Sequence, residues 1–113
     1  MCAWARSQVA YTSPTIGHNG PPGHYGQVAL ERECDALAAV PRGARNHGLN
    51  RCAFRLFQLV AGGELDGDRV VAGLVDACQR NGLIADDGMR AALATIRSAE
   101  RVGLQHPRSR GAA

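Results

Sequence analysis

Apolar residues recur along the chain at the three- and four-residue spacing of amphipathic helices, and no stretch shows the strict alternation of a sheet strand. The clearest case is residues 47–61. Leu49, Cys52, Ala53, Leu56, Phe57 and Val60 fall on one stripe. Asn46 is placed to cap this helix and Gly62-Gly63 to close it. A first helix is predicted over residues 27–39, with Val28, Leu30, Cys34, Leu37 and Val40 apolar and Pro41 and Gly43 ending it. A third is predicted over 67–80, capped by Asp66, with Val70, Val71, Leu74, Val75 and Cys78 inward and Gly82 as a left-handed stop. The last is predicted over 88–102, capped by Asp86 or Asp87. Its inward residues are Met89, Ala92, Leu93 and Ile96, with Leu104 folding back past Gly103.

Ahead of these lie residues 1–24, where Thr12-Ser13-Pro14 and Gly17-His18-Asn19-Gly20-Pro21-Pro22-Gly23-His24 interrupt any regular element. The expected architecture is therefore all-α. A small bundle of about four helices spans residues 25–104, preceded by a disordered N-terminal tail, 1–24, and followed by a basic flexible tail, 105–113. At 113 residues the chain holds one domain and is too short for a polymerase or ATPase core.

All 13 basic residues are arginine, so every cation is a planar fork able to grip a phosphate in two places. They cluster. Residues 41–60 hold four Arg and no acid, residues 61–88 two Arg and six acids, and residues 89–113 five Arg and one acid. Such blocks form either a nucleic-acid face with an acidic back or a set of internal ion pairs. Arg42, Arg45 and Asn46 stand before a helix N-terminus, where free N–H groups attract phosphate. Arg51 and Arg55 lie one turn apart, and Arg90, Arg97 and Arg101 share a face.

Other chemistry is not spelled out. With no lysine there is no phosphate-binding loop of the Gly-Lys type. Cys2, Cys34, Cys52 and Cys78 lack metal-ligand spacing, and the last three read as small apolar core residues of a reducing compartment. No nucleophile, base and orienting group come together, so neither catalytic residues, metal nor cofactor is expected. No apolar run reaches membrane-spanning length and no signal peptide is evident, which makes the cytoplasm the expected location.

Gly43-Ala44-Arg45-Asn46-His47-Gly48-Leu49 opens a helix, and an acidic helix follows. Then come Asn81-Gly82-Leu83 and an acid-capped helix with Thr95-Ile96-Arg97-Ser98. In this order the chain resembles the helical module that follows the catalytic part of phage and plasmid primases and bifunctional primase-polymerases, the primase C-terminal type. Leu59-Val60-Ala61-Gly62-Gly63-Glu64-Leu65 and the ending Gly103-Leu104-Gln105-His106-Pro107-Arg108 are similar to its variants in phage-like bacterial proteins. The resemblance spans residues 25–110 and implies a non-catalytic accessory of DNA replication, with DNA and a primase or helicase protein as partners. No primase or helicase domain accompanies it here. The residues expected to make contact are Arg45, Asn46, Arg51, Arg55, Arg97, Arg101 and Arg108. Two rival readings stand beside it. One is a protein–protein adaptor or homodimeric helical module. The other is a phage-type transcriptional regulator, which the acidic third helix suits poorly because it offers little to read bases.

Overall fold

A computed structural model describes residues 24–108. Of these, 78% are helical, and among the described residues there is no strand. Five helices follow one another: α1 (His24–Ala38), α2 (Arg45–Ala61), α3 (Gly67–Arg80), the single-turn α4 (Leu83–Asp87) and α5 (Met89–Gly103). The expectation of about four helices thus becomes four long ones and a short fifth. The all-α bundle stands. The N-terminal tail expected over residues 1–24 lies outside the described residues except for His24, which opens α1.

Contacts along the elements give their directions. Glu33 of α1 meets Cys52 and Arg55 of α2, while Leu37 and Val40 meet Gly48, so α1 and α2 are antiparallel. Gln27 meets Arg69, Leu30 and Cys34 lie under Gly73, and Asp35 reaches Arg80, so α1 and α3 run parallel. Asn46 meets Thr95 and Phe54 meets Gly103, so α2 and α5 also run parallel, in register over two turns. The core between them holds Leu37, Leu49, Leu56, Phe57, Leu59, Val70, Leu74, Cys78 and Ile96, all fully buried.

Glycine permits the tightest of these approaches. A Cβ at Gly103 would sit 2.8 Å from the Phe54 carbonyl oxygen and 3.0 Å from Phe57 Cβ, so α5 reaches α2 backbone to backbone.

Several local expectations are corrected. Asn46 does not cap α2: the helix starts at Arg45, with Ala44 at its cap and no side-chain cap bond. Asp66 does precede α3 in extended geometry, yet makes no side-chain cap bond. Asp86 and Asp87 belong to α4, and the residue before α5 is Gly88 at φ 94°. Met89 and Leu104, expected to turn inward, are each 40% exposed. The basic tail expected from residue 105 onward docks on α2 as far as Arg108, whose N–H donates to the Gln58 carbonyl at 2.9 Å. Residues 109–113 lie outside the described residues.

Candidate nucleic-acid interface

The seven residues singled out from the sequence separate into two groups. Arg45 and Arg55 are tied up inside the chain. From the first turn of α2, Arg45 crosses to the α3–α4 junction and is 8% exposed. Its Nη1 donates to the Asn81 carbonyl at 2.7 Å and its Nη2 to Asp86 Oδ2 at 2.7 Å. Gly82, at φ 85°, leaves room for this guanidinium, since a Cβ there would lie 2.9 Å from Nη1. Arg42 joins the same carboxylate from outside at 3.1 Å. The hydrogen bond from Arg45 and the charge of Arg42 hold Asp86 below its ordinary value.

Arg55 grips Glu33 with two hydrogen bonds, at 2.9 and 2.8 Å. Burial pulls the Glu33 carboxyl upward. The bonds from Arg55 and the neighbouring Cys52, with the charge of Arg55, outweigh it and leave the group lowered. Asn46 lies on the α2–α5 seam, where its Oδ1 accepts a hydrogen bond from the Thr95 hydroxyl at 3.0 Å. Arg108 is half-buried and donates from Nη2 to the Arg55 carbonyl at 3.4 Å.

Arg51, Arg97 and Arg101 are exposed. Residues advance roughly 100° around a helix axis. Arg51 is therefore about 200° from the buried Leu49 and points straight out of the bundle. On α5, Thr95 and Gly103 face α2, so Arg90, Arg97 and Arg101 stand on the flank turned the other way. Among the described residues the one ion pair in this set is Arg97 with Glu100, a surface contact at 3.5 Å. Between the cationic edges the outer surface carries side chains shorter than arginine. It is made of Asn50, Ala91, Ala94, Ser98 and Val102, all exposed. The result is a shallow trough along the parallel pair. His47 and Arg51 border it on α2, and Arg90, Arg97 and Arg101 border it on α5.

At the far end of the trough Phe54 and His106 bring their rings together, centroids 6.4 Å apart and tilted by 57°. His106 was not among the residues expected to make contact. Its position depends on the turn after α5, which periodicity does not reveal.

Asn81 was also missed as a junction. Its Nδ2 donates to the Leu37 carbonyl, its Oδ1 accepts from the Leu83 N–H, and its own carbonyl receives Arg45. An Asn-Gly pair after a helix was a signal for a stop, not for a three-element joint.

No group of three or more His, Cys, Asp or Glu able to hold a metal occurs among the described residues. No helix there is long and apolar enough to cross a membrane. By fold the chain is a small all-α bundle. Comparison with protein-family models, curated proteins and solved structures gives no match.

Proposed function

We propose that this chain is a non-catalytic helical module that binds DNA along the outer face shared by α2 and α5. The observation that supports it is the strip of short, uncharged side chains bordered by Arg51 on one helix and by Arg90, Arg97 and Arg101 on the other. These guanidiniums are exposed, and a single exposed ion pair competes for them. A phosphodiester backbone fits such a track by charge and by the bidentate geometry of arginine. Arg45 and Arg55 are left out of the contact set, since their donors already serve Asp86, Asn81 and Glu33. The setting, as an accessory to a primase or helicase, comes from the resemblance of residues 25–110, and the cytoplasm is the location expected from the absence of an evident signal peptide or membrane-length apolar run. Three free, buried cysteines suit that reducing compartment.

Fluorescence anisotropy with labelled oligonucleotides between about 50 and 200 mM salt tests this. Three or four phosphate contacts should give a slope of log affinity against log salt of about −2.7 to −3.6 on duplex, and about −2.1 to −2.8 on single strands. Replacing Arg97 and Arg101 by Gln should flatten it by about 1.4 to 1.8. Arg55→Gln should leave it unchanged. Absence of binding at tens of micromolar protein and low salt eliminates the reading. The rival, a protein-contact module, is favoured by the exposed apolar side chains of Met89 and Val102 on α5 and of Leu104 just after it.

A further inference from the structure

We infer that the Phe54–His106 corner at the end of the trough is a stacking site for an unpaired base, and that the DNA bound there is single-stranded. The inference rests on the proposed DNA-binding reading and deepens it.

The corner is held from both sides. Gly103 brings the end of α5 against the Phe54 carbonyl. The turn that follows is closed by hydrogen bonds from the Gln105 N–H to Val102 and from the His106 N–H to Gly103. Two residues later the Arg108 N–H bonds to the Gln58 carbonyl, and Gly62 makes room for the Arg108 backbone, which a Cβ there would block. His106 is thus carried on a short span pinned at each end, with its ring exposed beside the half-buried Phe54 ring.

A centroid separation of 6.4 Å at a 57° tilt leaves no slot for a base between the rings. It forms an open corner, where a base can lie flat on one ring with its edge against the other. In a duplex both faces of an interior base are already stacked, so only an unpaired base can do this. Arg51 stands about one turn before Phe54 on α2, and Arg101 lies two residues before the end of α5. Cations beside an aromatic platform are what sequence-tolerant single-strand binding requires.

The test compares three ligands of about 15 nucleotides at one salt concentration, using the full chain. They are oligothymidylate, an abasic strand of the same length, and a duplex. Oligothymidylate should bind tightest. His106→Ala, and separately Phe54→Leu, which keeps an apolar side chain in the half-buried position, should weaken oligothymidylate by roughly 5- to 100-fold. Binding of the abasic strand and the salt slope should not change. Circular dichroism melting verifies that each variant is folded. Equal affinity for oligothymidylate and the abasic strand, or tighter binding of duplex, overturns the stacking site and leaves the arginine surface standing. No binding of any ligand overturns both.

Discussion

Asn81 and Arg45 together join four helices through side chains that polar pattern alone would assign to the surface. Arg45 is buried while its two terminal nitrogens reach acceptors at the edge of the bundle, the Asn81 carbonyl and the exposed Asp86 carboxylate; its buried Nε has no acceptor. Arg45→Met keeps the apolar stem but strands the Asn81 carbonyl, and it should cost about 1–3 kcal/mol. A thermal melt within error of the parent would mean that the carbonyl finds another donor. Glu33 makes a second, acid-sensitive link. Its folded pKa lies below the ordinary 4.5, so the stability it adds is present above that value and lost as pH falls through the lowered one. Glu33→Gln should therefore unfold less steeply with acid below about pH 5, read as melting temperature against pH. Asp86 behaves with the same sign, its value being lowered from 3.8.

Among the elements, α2 is central, packing on α1, α3 and α5. Its stripe was plain in the sequence, and Phe57, at its middle, is fully buried against Gly67 of α3 and Gly103 of α5. Phe57→Ala should cost about 3–5 kcal/mol. Denaturation midpoints unchanged from the parent would contradict that burial. The α2–α5 seam makes a different demand. Gly103→Ala adds one methyl group where backbone already meets backbone, and should destabilise by about 1–3 kcal/mol through overpacking. A control on a face without such contact, Ala94→Ser, should be near neutral. If both variants melt alike, the two helices are not in close contact there.

Across the molecule the cysteines report on how well the bundle is closed. Burial raises Cys34 and Cys78 to about 11 and Cys52 to about 12, from an ordinary 9.0. A raised thiol favours the folded state below the ordinary value, and that advantage falls away as pH rises above it. Stability to denaturant should accordingly decline above about pH 9. Buried, protonated thiols should also resist alkylation in the folded protein and react on unfolding, which mass spectrometry can follow. Labelling of Cys34, Cys52 or Cys78 as fast as a free thiol under native conditions would show that the bundle opens readily. Charge is arranged at this scale too. The acidic block supplies Asp86 for Arg42 and Arg45 and Asp76 for Arg80, while α5 keeps Arg90 and Arg101 free of ion pairs among the described residues. Internal ion pairing thus accounts for Arg42, Arg45, Arg55 and Arg80, and leaves Arg90 and Arg101 exposed on α5.

Helical class, the phase of α2 and the bounds of α3 follow from the sequence by itself, because burial on one face imposes a period that local residues must carry. The left-handed stop at Gly82 was legible for a similar reason, since only glycine adopts that backbone at low cost. Short α4 was not legible, because a single turn has no period and its acids resemble caps. Nor could sequence say which arginines face water. Arg45, Arg51 and Arg55 sit in one basic block. Their fates divide on whether Asp86, solvent or Glu33 lies opposite, and residues 41 and 22 positions away in the chain decide that. The trough and the Phe54–His106 corner likewise exist only where α2 and α5 lie parallel, a pairing set by packing between distant segments rather than by any local preference.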